Sequence, residues 1–325
     1  MTSITPSHVP VSVITTCYGR NRHLTNLLTS LASGSALPAE VIIVNDDVSS
    51  NQLAAFDLNI VQLPTTLTQS DSDNDSDISS EANELFLKDS GFDIGRNRNI
   101  GARHATYESL IFLDVDCIVS FDFIQGLANK LKRHPDALLM GQPRYLTRPI
   151  DESEAHQLLD LQQAGSWLNE LSVLNPYRYN MGSEVDMIAT QDYGAFWSLC
   201  FAVTRARFEQ IGGFDTHYVG YGAEDTDFAF MARALNIEFY LTCDVVYHQQ
   251  HGVYRPPLNH LSSIIINANR FFDKWQHWPM GGWLASFAQM GLIDWEAGQH
   301  NLIIITRLPS ESEIEAAHCP DAPYV

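Results

Sequence analysis

Short apolar runs alternate along this chain with segments whose apolar residues recur at helical spacing. Val11-Ser-Val-Ile-Thr-Thr-Cys17 is β-rich, and after the polar turn Tyr18-Gly19-Arg20-Asn21-Arg22, Leu24, Leu27, Leu28 and Leu31 fall on one helical face. Glu40-Val-Ile-Ile-Val44 is a second run, ending in Asn45-Asp46-Asp47, and Leu58-Asn-Ile-Val-Gln-Leu63 reads as a third strand. Strand, helix and strand at such short intervals predict a parallel, right-handed βαβ unit. Gly95 to Ala105 predicts a helix leading into Leu110-Ile111-Phe112-Leu113, a continuous apolar run of the kind found in strands buried on both faces. Phe239-Tyr-Leu-Thr-Cys-Asp-Val-Val246 repeats the strand pattern further on. The order is that of a nucleotide-binding α/β sheet.

Composition narrows the class. With 325 residues and 45% apolar content the chain can bury one large core or two modest ones. No apolar stretch approaches the ~20 residues of a membrane span, and Met1-Thr-Ser-Ile-Thr-Pro lacks a basic region followed by a hydrophobic one, so the expectation is a cytoplasmic protein with no transmembrane segment. Five cysteines without a C-x-x-C pair read as reduced thiols. A net charge of -20 argues against nucleic acid and anionic lipid as partners, so an anionic ligand needs a cation and a local basic group. The acidic stretch 68–84 is too polar to offset its ordering entropy and is expected to be a mobile insertion. Asp73, Asp75, Asp77 and Glu84 do occupy places one, three, five and twelve of a calcium loop, but Ile78 stands where its sharp turn wants glycine.

Two acidic clusters carry the candidate chemistry. Asp114-Val115-Asp116 follows a buried strand, at the sheet edge where ligands bind. Period-two geometry points both aspartates to one side, giving two hard oxygen donors for a divalent cation and a diphosphate; the alternative is a strand end with solvated acids. The second cluster runs from Gly212-Gly213-Phe214-Asp215 to Gly222-Ala223-Glu224-Asp225-Thr226-Asp227.

Taken in order, Val11-Ser-Val-Ile-Thr-Thr16, Val44-Asn-Asp-Asp47, Arg98-Asn-Ile-Gly-Ala102, Asp114-Val-Asp116 and the Gly-Gly-Phe-Asp…Glu-Asp block resemble a GT-A-fold glycosyltransferase of family 2 over roughly residues 9–250. The last block also resembles the C-terminal segment of galactosyltransferases and polypeptide N-acetylgalactosaminyltransferases. The resemblance implies a GT-A α/β fold, with a mainly parallel central sheet flanked by helices. It implies metal-dependent transfer from a nucleoside-diphosphate sugar, a UDP-sugar favoured, to a glycan or other hydroxyl-bearing acceptor, with inversion. Mn²⁺ or Mg²⁺ would be held by Asp116, Asp114 and a histidine, His248 preferred over His251. Thr16, Arg20, Asp46 and Arg98 would bind the donor with Asp114, and Trp197 would wall the sugar pocket or simply pack in the core. Asp225 would be the base, with Glu224 beside it on the acceptor; Asp227 is a helix first-turn charge or a further candidate. The alternatives are a catalytically silent nucleotide-sugar or glycan-binding protein on this fold, and a sugar nucleotidyltransferase, for which Cys17 to Arg22 is a poor phosphate loop.

The resemblance places a catalytic domain at 1–250 and a helical extension with a tail at 251–325, packed on the same domain. Within it a helix through Phe272 is expected. Tyr254, Trp275, Trp278 and Trp283 are candidates for sugar stacking, with packing the stronger expectation. Asn301 to Leu308 reads as an edge strand, and residues after Pro309 as a mobile tail.

Overall fold

The computed structural model describes residues 7–45, 50–64, 93–176, 178–179, 181–182 and 185–324. Asp46 and the 68–84 stretch, with its calcium-loop pattern, lie outside the described residues. The first half of the chain supplies β1 (Ser7–Thr16), α1 (Asn21–Ala32), β2 (Ala36–Val44), β3 (Ile60–Leu63), α2 (Ile94–His104), β4 (Ser109–Leu113), β5 (Cys117–Val119), α3 (Phe123–Arg133) and β6 (Leu138–Leu146). There follow α4 (Leu161–Glu170), β7 (Ser172–Leu174), β8 (Met187–Thr190), β9 (Cys200–Thr204), α5 (Arg205–Ile211), α6 (Glu224–Ala234) and β10 (Phe239–His248). The last long helices are α7 (Leu261–Trp275) and α8 (Gly281–Gln289), and a short α9 spans Glu311–Ala317.

The main sheet runs β3-β2-β1-β4-β9-β6-β10-β5. Its β3-β2-β1-β4 half is parallel, as the strand–helix alternation predicts, and β6 and β10 form a second parallel pair; β9 lies antiparallel between β4 and β6 and joins the two halves. Side-chain alternation divides the core in two. Val11, Val13, Val41, Ile43, Ile111 and Leu113 face α1 and α3, where Leu24, Leu27, Leu28 and Leu31 cover them. Ile14, Ile42, Leu110 and Phe112 face the other layer, built on Phe201, Phe208, Phe214 and Phe228. Phe112 stacks on Phe201 at 4.4 Å and Phe214 on Phe228 at 4.6 Å. Each such buried side chain contributes about 1.5–3 kcal/mol, which is why the run ahead of Asp114 is apolar without interruption. Among the described residues no helix is long and apolar enough to cross a membrane, and none of the five cysteines forms a disulfide.

Beyond β10 the chain is more ordered than its sequence suggests. Asp227, buried in α6, accepts from Tyr218 Oη (3.2 Å), Lys274 Nζ (2.9 Å) and Trp275 Nε1 (2.6 Å), so it anchors α7 to the core. Trp278 stacks on Phe272 at 4.0 Å and donates to Gln299 O, so it also packs. The expected edge strand is a separate ribbon in which Ile304–Ile305 pairs with Ile293–Asp294. The expected mobile tail is folded. Ser310 and Glu313 close a capping box on α9, satisfying N-terminal amides of the helix, and His318 and Cys319 pair antiparallel with Tyr254 and Val253.

Candidate functional site

The acidic triplet ends β4 and turns into β5: Asp114 N–H donates to Leu199 O (2.9 Å) and Cys117 N–H to Asp114 O (3.0 Å). Because β5 runs antiparallel to β10 with His248 opposite Cys117, the turn brings Asp116 to the end of β10. Gln249 N–H then donates to Asp116 O at 2.6 Å, fixing the following loop. His248 Nε2 lies 3.5 Å from Asp116 Oδ1 and His251 Nε2 lies 3.4 Å from Asp116 Oδ2. The ligand atoms of Asp116, His248 and His251 all fall within 4.8 Å of one another. Both histidines that the sequence offered therefore converge, not His248 alone.

The donor set fits a metal ion. His251 Nδ1 lies 3.0 Å from Gly252 O while its Nε2 faces Asp116 Oδ2, so the ring is held in place from both sides. Burial pushes the His248 imidazole down to about 4, keeping it neutral, which is the ligand form. Burial alone would push Asp116 up, yet the two imidazoles and Arg20, whose Nη1 is 3.3 Å from Oδ2, hold it ionised below the usual carboxylate range. Asp116 Oδ1 and His248 Nδ1 have no hydrogen-bond partner.

Asp114 is oriented differently. Its Oδ1 accepts from Arg98 Nη2 at 2.7 Å, while Arg98, buried in α2, also donates to Ser198 O (3.3 Å) and lies 5.1 Å from the Phe214 ring centroid. Burial raises the Asp114 pKa, and the Arg98 guanidinium opposes the rise. Arg98 also lowers the pKa of Glu224 and of Asp225, so one cation serves three carboxyls. Thr16 is buried where β1 leaves the sheet.

Glu224 and Asp225 open α6, and the loop before them is shaped by positive backbone angles at Gly220, Gly222 and Ala223. A Cβ on Gly222 would come within 2.6 Å of Met280 Sδ, and one on Gly220 within 2.7 Å of Ser263, so this loop admits only glycine there. Asn267 Nδ2 of α7 lies 3.1, 3.3 and 3.0 Å from the carbonyls of Val219, Tyr221 and Gly222. Burial and the Asp225 charge push Glu224 up to about 8, whereas Asp225 is raised by burial but eased by Thr226, whose amide donates to Oδ1 at 2.7 Å. Burial thus raises both carboxyls of the pair, while the Thr226 amide and the Arg98 and Arg178 guanidiniums favour the charged form of Asp225. A helix N-terminus favours that charge.

Three further residues enter the cleft. Tyr324 stacks on His248 with ring centroids 4.9 Å apart and shares a hydrogen bond with Tyr221 Oη. Gln250 Nε2 holds its approach by donating to Pro320 O (2.6 Å) and Ala322 O (3.2 Å). Arg178 lies 3.5 Å from the centroid of the Trp197 ring. Tyr221 lies inside the Gly212–Asp227 block, but no local pattern marks Tyr324 or Arg178, which reach the cleft only through tertiary folding.

The sequence profile described as "Glycosyltransferase like family 2" matches residues 39–259. A validoxylamine A glucosyltransferase of Streptomyces hygroscopicus subsp. limoneus is 24% identical over 281 residues, 82% of this chain and 57% of that protein. Its counterpart in Streptomyces hygroscopicus subsp. jinggangensis is 25% identical over 82% of this chain and 62% of its own. The chain thus spans less than two thirds of the length of these curated relatives. Among solved structures, S. aureus TarS 1–349 aligns over 81% of this chain and 66% of its own with TM-score 0.48 and 15% identity. GalNAc-T7 with UDP, GalNAc and Mn²⁺ aligns over 74% and 44% with TM-score 0.46 and 15% identity.

Proposed function

Because the chain belongs to glycosyltransferase-like family 2, we propose that it transfers a sugar from a nucleoside-diphosphate donor to a hydroxyl-bearing acceptor, with Mn²⁺ and with inversion, in glycan assembly. The observation that carries this reading is the convergence of Asp116, His248 and His251 beside the Arg98–Asp114 pair and the Glu224–Asp225 carboxyls. Two imidazoles and one carboxylate suit Mn²⁺ better than Mg²⁺, which prefers an all-oxygen shell. Bound there, the ion supplies Lewis-acid neutralisation of the charge that develops on the leaving diphosphate.

The remaining work falls to side chains. Arg20, at the mouth of β1, and Arg98 offer guanidinium groups to the diphosphate, each held by an aspartate until the donor arrives. Asp225, whose charged form the Thr226 amide favours, accepts the acceptor hydroxyl's proton as the oxygen attacks the anomeric carbon. Protonated Glu224 donates a hydrogen bond to the same acceptor. UDP-sugars are the donors to test first, UDP-glucose among them, since both curated relatives are named glucosyltransferases.

Asp225→Asn keeps size and hydrogen bonding but removes the base. Transfer falls by about 10² or more while Mn²⁺-dependent UDP affinity stays within a few-fold, assayed by product release and calorimetry. Transfer at the parent rate sinks the base assignment. Donor binding without transfer in parent and variant alike, across a panel of donors and acceptors, favours a silent binding protein instead.

A further inference from the structure

Beside the catalytic cleft lies a cavity of about 130 Å³ lined by Met140, Asn175, Arg178, Thr190, Asp192 and Ala195. Among the described residues Arg178 is its one lining cation. A turn closed by Arg178 N–H to Asn175 O (3.2 Å) holds its backbone, and the guanidinium lies on the Trp197 ring. Met140 Sδ ties the two together, accepting from Arg178 Nη1 at 3.5 Å and from Trp197 N–H at 3.3 Å. Arg178 Nε and Nη2 are buried with no hydrogen-bond partner, and among the described residues no carboxylate comes within ion-pair distance of this arginine.

That arrangement is costly unless something completes it. Arginine cannot shed its charge, and a buried guanidinium with unsatisfied donors forfeits hydration that a ring face returns only in part, about 0.5–2 kcal/mol. Arg20 and Arg98, by contrast, are matched to Asp116 and Asp114 on the metal side. Arg178 lies toward Asp225, whose charge and its own perturb one another.

The geometry points to an anion subsite: Arg178, stacked on Trp197, receives a carboxylate or phosphate carried by the acceptor beside the hydroxyl that attacks. This rests on the transferase reading and deepens it by naming the acceptor class as anionic. A fork of two N–H groups matches such oxyanions bidentately, and the aromatic base beneath keeps the plane of the fork fixed.

The test uses the whole protein saturated with Mn²⁺ and UDP, titrated calorimetrically with D-glucose, D-glucose 6-phosphate and D-glucuronate. At least one anionic sugar should bind tenfold or more tightly than glucose to the parent. Arg178→Gln should bring it within about twofold of glucose, and Arg178→Lys should keep part of the excess, with UDP affinity unchanged in both variants and melting curves verifying that both fold. The proposal is overturned if neither anion outbinds glucose, or if the excess survives Arg178→Gln. It is equally overturned if Arg178→Gln weakens Mn²⁺–UDP binding tenfold, which makes Arg178 a diphosphate ligand. A preference for UDP-glucuronate over UDP-glucose that alone responds to the variant moves the anion to the donor sugar and also overturns it. Failure of the transferase reading looks different: the parent then shows no Mn²⁺-dependent UDP binding, and the anion titrations are read on the nucleotide-free protein.

Discussion

Replacing Asp227 by alanine separates an anchor from a catalytic acid. The carboxylate is 2% exposed and joins three donors, Tyr218, Lys274 and Trp275, at 3.2, 2.9 and 2.6 Å. Removing one partner of a buried ion pair costs about 3–5 kcal/mol. Lys274 is 33% exposed and regains water when abandoned, which puts the loss at the lower end, about 3 kcal/mol. At about 2.1 cal/mol/K per residue, the unfolding entropy of 325 residues is about 0.7 kcal/mol/K, so the melting temperature drops by about 4 °C. Asp227→Asn, which still accepts from Trp275 Nε1, loses about half as much. Scanning calorimetry gives the shift, and UDP titration with Mn²⁺ below the transition gives the site. Full donor affinity and transfer persist in both variants. An unchanged melting temperature with transfer lost would refute the anchor and put Asp227 in the chemistry.

Two further outcomes follow from the same geometry. Glu224 carries a folded-state pKa of about 8 against 4.5 unfolded, so the folded state holds its proton more tightly and metal-free stability falls as pH rises from 4.5 to 8. Glu224→Gln removes that slope; melts at pH 5.5, 7 and 8.5 that run parallel for parent and variant would count against the raised pKa. Tyr324 packs its ring on His248, so Tyr324→Ala weakens Mn²⁺ binding about tenfold by spectroscopic titration while Tyr324→Phe, which keeps the stack, changes it little; equal affinity in all three proteins would mean the ring does not position His248.

Much of the site was legible because local pattern and site coincide on β4. A strand buried on both faces must be apolar, so acids at its end stand out, and Asp116 lies beside His248 and His251. The period-two argument held less well: the strand stops at Leu113 and the triplet turns, giving Asp114 to Arg98 and Asp116 to the histidines. His248 was legible as the end of β10, but His251 sits in a loop whose position depends on Gln249 pairing with Asn26, 223 residues away. The antiparallel β9 was hidden for the same reason, since strand direction is set by partners distant in sequence. Residues after Pro309 are the opposite case. Ser310-x-x-Glu313 is a capping-box pattern that announces a helix, and the polar composition around it concealed a tail that ends against His248.

The most direct test of the account is calorimetric titration of UDP into the parent protein with Mn²⁺ and again with EDTA at matched ionic strength, repeated on Asp116→Ala and His251→Ala. Binding that requires Mn²⁺ in the parent, and loses that requirement together with most of its affinity in both variants, is the predicted result. Equal UDP affinity with and without Mn²⁺ in the parent would contradict a donor site built on Asp116, His248 and His251.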